Sequence, residues 1–332
     1  MSENATIPAL AYYKYGHLSH SLENQETMSL RDIAKDPVWK QNTFFNQLRS
    51  YHDGDDFADK QIMLALLKES PFDDTRISSN ERKSLVIRSL QTLVLFPTAI
   101  GHMYKAATDC TFQYWDEGAV YLIGSVEGSR WGGDDMYSGV GMYGFAKELC
   151  EEFKVCTSSG NAETNERLIG YFSNGEDLIS GGSCAALQQL IETKVVPTLL
   201  TALVQGAIHF AGKSSARGDA YVMAEAILPF LSNIEDSKAN AMIIEGNLLL
   251  NSTGDSTKVI DAFSHLLVDM DVNCDEVGLF EGNQNLTLCA VHCDEVGLFE
   301  GNQNLTRCFY DPDQSTDLSD GLYITGTYVK ER

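Results

Sequence analysis

The chain reads as all-α or nearly so, a multi-helix bundle with a degenerate internal duplication of a helix-turn-helix unit. Three observations point there. Strand-like alternation is scarce, while apolar residues recur at three- and four-residue spacing in segment after segment. Helix start signals precede several of those segments. Two segments, 95–127 and 196–235, also share a grammar: an apolar run ends in a His, a polar gap carries Lys or Arg, and a second apolar run opens with a Glu. His102 precedes Glu117 by fifteen residues and His209 precedes Glu225 by sixteen. The expectation is that both His–Glu pairs meet near a pseudo-two-fold axis.

Taken in order, residues 1–80 form an N-terminal helical and loop cap. Tyr12, Tyr13, Tyr15, His17 and His20 crowd its start as an aromatic lid. Asp53–Asp56 (DGDD) is a turn that starts a helix over 57–68, whose acidic start and lysine end suit the helix dipole. DGDD lacks the later ligands of a calcium loop. Residues 71–80 are a loop, and Ser79 or Asn80 caps a helix carrying Leu85, Val86, Leu90, Leu93 and Val94, which Pro97 kinks or ends.

The helical core spans 81–270, with its related units at about 93–130 and 195–235. The link EGSRWGGDDMYSGVGMYG has neither a GxGxxG after a strand nor a P-loop lysine, so nucleotide binding is rejected. Further helices are expected over 143–153, 161–172, 184–199, on to 209, 221–231, 239–250 and 258–268, with NGEDLISGG as a turn and Pro197 bending its helix. The tail, 271–332, carries CDEVGLFEGNQNLT twice without a change, at 274–287 and 293–306. An identical copy beside a decayed duplication marks either a recent event or a fault in the gene model. One strand is expected near 323–329.

The net charge of -23 disfavours nucleic acid and anionic membranes as partners. No run of about 18 uncharged apolar residues occurs, so no membrane insertion is expected. Eight cysteines, none in a CxxC pair, and N-x-S/T sequons at Asn4, Asn251, Asn285 and Asn304 favour an oxidising compartment. Cys150 and Cys156 bridge each other across a helix end, or each reaches Cys110 or Cys184. The N-terminus lacks the basic start and apolar centre of a signal peptide. Either the chain begins at a domain start, or a leader is missing, or the protein is intracellular; the first two are preferred.

Nitrogen and carboxylate donors among apolar helices suit iron, manganese or zinc. The di-iron E-x-x-H pattern is absent. The candidate ligands are His102, Glu117, Tyr121, Glu127, His209 and Glu225; Glu117 and Tyr121 share a helix face at i,i+4. Phenolate, carboxylate and imidazole together suit ferric iron. The ordinary alternative is a core His and Tyr satisfied by hydrogen bonds, with the glutamates neutralised by Lys105, Lys213 or Arg217. Cys184 follows glycines at a helix start, where a thiol's pKa falls, but in an oxidising compartment it is half of a disulfide. No catalytic motif stands out.

Four stretches carry a family resemblance: 112–127 (FQYWDEGAVYLIGSVE), 150–156 (CEEFKVC), 182–184 and 204–230 (VQGAIHFAGK…GDAYVMAEAILPF). They resemble the algal iron-assimilating proteins, also described as low-iron-inducible or high-CO2-inducible periplasmic proteins. The similarity covers roughly residues 51–268. It implies a secreted, periplasmic or cell-surface protein, induced by iron limitation, that captures or concentrates iron. The family's acidic and polar signature positions fall here on Glu117, Tyr121, Glu127, Gln205 and Glu225. The chain departs from the family in lacking a leader and in reading AEA where AEG is expected. The implied function is binding, not turnover. Iron, with a carbonate or bicarbonate anion, would be held and passed to a membrane iron reductase or permease. A structural cell-surface glycoprotein and a metal-dependent enzyme are the alternatives from other classes.

Overall fold

The computed structural model describes residues 3–16, 29–35, 40, 42, 45–124, 141–232 and 234–280, with side chains from residue 9 onward. The described residues are all helix and turn, with one isolated bridge between Cys156 and Ala162. The helices are α1 (Glu3–Tyr15), α2 (Leu30–Lys35), α3 (Asn46–His52), α4 (Phe57–Leu67), α5 (Ser79–Ser89), α6 (Phe96–Asp109), α7 (Phe112–Ile123) and α8 (Met142–Phe153). They continue with α9 (Glu163–Ser180), α10 (Cys184–Leu190), α11 (Val196–Ala211), α12 (Arg217–Leu231), α13 (Lys238–Asn247), α14 (Ser256–Ser264) and the single turn α15 (Cys274–Val277). One hydrophobic cluster runs from Tyr13 to Val277.

The two prolines expected to bend or end their helices do not end them. Short π-helical segments, Leu90–Leu95 and Ile191–Val195, join α5 to α6 and α10 to α11 into continuous helices, Ser79–Asp109 and Cys184–Ala211. The amide of Phe96 reaches back five residues to the Gln91 carbonyl, and that of Val196 to Ile191. Proline has no amide to donate and its ring collides with the carbonyl four residues back. Widening the preceding turn absorbs both problems. By length and composition alone these two helices could cross a membrane. Here they are the core: 78% of the apolar window of the first and 94% of that of the second is buried.

α5 starts with a complete capping box. Ser78, one residue before the expected cap, accepts from the Glu81 amide, and the Glu81 carboxylate accepts from the Ser78 amide. α9 runs to Ser180, through the stretch NGEDLIS expected as a turn. Its Gly175 is what lets it approach α7, because a Cβ there would enter the Trp115 ring. The Trp115 indole in turn donates to the Phe172 carbonyl at 3.0 Å. α14 ends at Ser264, four residues short of the expected end, and the chain continues in turns.

Polar groups join α5 to its neighbours. Arg88 is 8% exposed at the side chain. Its Nε donates to Asp219 of α12 at 3.2 Å, one Nη to Gln91 at 2.9 Å and the other to Glu148 of α8. The guanidinium carbon stands 4.5 Å from the Phe145 ring centre and 5.5 Å from that of Phe210 on α11. Ser84 donates to the same Asp219 oxygen at 2.6 Å, and Arg217 of α12 pairs with Glu81 at 3.0 Å. Gly218 lets the helices close up, since a Cβ there would sit 2.7 Å from the Glu81 carbonyl oxygen.

Two disulfides with both cysteines among the described residues fasten the bundle. Cys110–Cys184 ties the end of α6 to the start of α10, and Cys150–Cys156 staples the end of α8 to the following turn. The local alternative for Cys150 and Cys156 is therefore the one adopted. Cys274 is also disulfide-bonded. Cys289, Cys293, Cys308, most of the tail repeat and the strand expected near 323–329 lie outside the described residues.

Arg88→Ala should destabilise the protein by about 3–5 kcal/mol in urea unfolding, because it strands the buried Asp219 carboxylate. Asp219→Ala in the Arg88→Ala background should cost much less than it does alone, since the charge left unpaired is then gone.

Candidate metal-binding residues

α6 and α7 form a tight hairpin. Cys110 ends α6 in the left-handed conformation (φ 57°), Thr111 is extended and α7 returns. Gly118 sets how closely they pack: a Cβ on it would lie 2.7 Å from Met103 Cγ and 2.9 Å from the Ala99 carbonyl oxygen. That approach brings the two faces carrying His102 and Glu117 together.

His102 Nδ1 lies 2.8 Å from Glu117 Oε2. The two are within ion-pair distance, while the buried nitrogen lacks a hydrogen bond of regular geometry. Gln113 donates to the other Glu117 oxygen at 3.0 Å. The Tyr121 ring centre is 5.3 Å from the imidazole and that of Tyr114 is 6.1 Å away. Lys105 covers the Tyr114 ring at 4.0 Å. Burial holds the His102 pKa below its ordinary value, with Lys105 acting in the same direction and Glu117 opposing. Burial and the Glu117 charge both push the Tyr121 phenol up. Glu117 is 37% exposed at the side chain, so the cost of a fully buried carboxylate does not apply to it.

His209 and Glu225 do not pair with each other. Buried His209 on α11 bonds through Nδ1 to Glu152 of α8, while Lys213 Nζ lies 2.6 Å from Nε2. An ammonium only donates, so Nε2 accepts and the imidazole proton sits on Nδ1, facing the carboxylate. Burial and the Lys213 charge lower the His209 pKa against the pull of Glu152. Glu225 on α12 meets His52 at the end of α3. Nδ1 lies 3.3 Å from its carboxylate, and Nε2 donates to its backbone carbonyl at 3.1 Å. The imidazole stacks on Phe57 with centres 3.7 Å apart. Tyr221 also bonds to Glu225; burial first, then that carboxylate, raises its phenol. Burial and Glu225 push neighbouring Tyr51 up to about 12.

Thus one expected pair forms and the other is replaced by two. Of the expected neutralisers, Lys213 serves Glu152 and Arg217 serves Glu81. Among the described residues no three His, Cys, Asp or Glu side chains gather as a metal cluster. Glu127 lies outside them. The prolines explain the misreading. With Pro97 opposite Pro197, His102 falls five residues after its proline and His209 twelve, a shift of two helical turns. Gln205 spends its amide on the carbonyls of Glu276 and Val277. Cys184 is committed to Cys110. His52, Glu152 and Tyr221 were not anticipated. Glu152 was visible in CEEFKVC as an acid one residue before a helix end, whereas His52 lies 173 residues from Glu225 and nothing local marks it.

No known family model, curated protein or solved structure matches the chain.

Stability should fall on acidification through the ordinary histidine range. His102 and His209 have lowered pKa values in the fold, so the unfolded chain takes up their protons first and is favoured as pH drops. The raised carboxyls of Asp219 and Glu276 act in the opposite sense. The urea midpoint should be lower at pH 5.5 than at pH 7.5, and His209→Gln should reduce that difference. An unchanged difference in the variant would assign the effect elsewhere.

Proposed function

We propose that this protein binds iron on the outer side of the α6–α7 hairpin and belongs to the secreted, periplasmic or cell-surface iron-assimilation type that its sequence resembles. The observation that carries the reading is His102 and Glu117 held against each other beside Tyr121, with His102 Nδ1 buried and lacking a directed hydrogen bond. An imidazole nitrogen, a carboxylate and a phenol are the donor set that suits ferric iron. The phenol is raised, so iron would have to displace its proton, and binding would tighten as pH rises. Three donors leave coordination positions open, which suits a captured ion that is handed on, and carbonate or bicarbonate would fill them. A membrane reductase or permease would receive the iron. Five disulfide-bonded cysteines among the described residues support an oxidising compartment, and the net charge of -23 would concentrate cations near the surface.

The two long helices support descent from one duplicated unit. Each carries a π-helical segment, then proline and threonine, then a hairpin into the next helix. In this reading the ligands belong to the first unit, and the second keeps His209 and Glu225 in separate structural pairs.

One observation favours a second reading, a structural or interaction protein without tight metal binding: each candidate His and Glu among the described residues already has a partner in a separate pair. Titration calorimetry with ferric and ferrous iron under controlled bicarbonate decides between them. The iron reading expects saturable, stoichiometric binding. Glu117→Gln should weaken it by about tenfold or more, about 1.4 kcal/mol, while Glu225→Gln should leave it unchanged. No saturable binding by the wild type selects the structural reading.

A further inference from the structure

The tail repeat gives the fold two candidate occupants for one groove. The first copy, 274–280 (CDEVGLF), is docked on α8, α9 and α11. Val277 is fully buried. Its carbonyl accepts from Gln205 at 2.8 Å, and Glu276 pairs with Arg167. The Leu279 amide donates to the Phe153 carbonyl at 2.8 Å, and Phe280 packs on the Phe153 ring with centres 5.1 Å apart. Gly278 is left-handed (φ 78°), and a Cβ there would strike the Phe153 carbonyl oxygen, so only glycine serves.

Every one of these determinants recurs nineteen residues later, in 293–299, which reads CDEVGLF again with Val296, Gly297 and Phe299 in the matching places. The valine two residues upstream recurs as well, Val272 and Val291. The one difference within this stretch is the residue before the turn. Asn273 caps α15 by accepting from the Asp275 amide at 3.0 Å, and its counterpart is His292. Asparagine is a preferred N-cap, which favours the first copy.

We infer that the groove of Phe153, Arg167, Gln205 and Val155 is a docking site for the CDEVGLF sequence as such, and that the 293–299 copy of the same chain takes it when the first copy is disabled. The contacts would be the same. The added cost is the closure of a nineteen-residue loop, which grows only with the logarithm of loop length, and the weaker cap. The inference is independent of the iron reading.

The test is a set of four full-length proteins in a Cys274→Ser, Cys293→Ser background, so that neither copy is held covalently: the background itself, Val277→Asp, Val296→Asp and the double variant. Urea unfolding and limited proteolysis are read for each. Val296→Asp should be silent. Val277→Asp should lose part of the stability, and the double variant should lose distinctly more than the two single losses added, since only it leaves the groove empty. Adding Gly297→Ala in place of Val296→Asp should give the same excess. Val277→Asp already as damaging as the double variant would overturn the inference, because the second copy would then have rescued nothing. Rescue that depends on protein concentration, with a dimer by light scattering, would also overturn it, by assigning the occupant to a second chain.

Discussion

The buried guanidinium of Arg88 is the constraint on which the bundle's geometry depends. One side chain from α5 meets a carboxylate on α12, a carboxylate on α8 and aromatic faces on α8 and α11. A guanidinium has five donors in a fixed plane, so its partners must stand at set angles around it. A purely apolar contact would tolerate sliding by a residue. Here a slip of α12 by one position would carry Asp219 away from both Arg88 and Ser84 and leave a buried carboxylate stranded. Asp219 shows the tension directly: burial raises its carboxyl while the two donors pull it down. The network therefore fixes register among four helices, and the apolar cluster supplies most of the stabilisation around it.

That register reaches the candidate site through the prolines. Pro97 and Pro197 stand one residue inside α6 and α11, and the π-helical turns before them insert the backbone slack that proline needs. A π turn also rotates everything beyond it relative to a regular helix. The face that α6 presents to α7 is thus set by the turn before Pro97, and with it the meeting of His102 and Glu117. The same device in α10–α11 turns His209 toward α8 and Glu152.

Much of the architecture was legible in the sequence because it is written in local rules. The all-α class and the helix from Phe57 follow from periodicity and capping, whereas the cap fell one residue early, on Ser78, and short spacing left the Cys150–Cys156 bridge as one of several pairings. Pairings between distant helices were not legible. His102 and Glu117 were found because one hairpin joins them. Glu225 was assigned to the nearest His in an apparent repeat, and the fold gave it His52, which packing alone brings from α3. Whether the helices continue through Pro97 and Pro197 was left open for a similar reason. A proline reads locally as a stop, while the buried face of a continuous helix supplies enough packing to carry the chain past it.

The separation of the His–Glu pairs bears on what an ion bound here would experience. Four donors converging between two units would make a closed site, buried and slow to release. A hairpin site built from His102, Glu117 and Tyr121 has one partly exposed carboxylate and a phenol that resists losing its proton. Both features would weaken the hold on an iron ion bound there and speed its exchange with solvent ligands. His209 is different in kind. Lys213 occupies its second nitrogen, so a cation approaching it would meet a fixed positive charge first. In the proposed reading, then, a cation would be held by the first of the two loosely similar segments, while the second keeps its His and Glu in separate structural pairs.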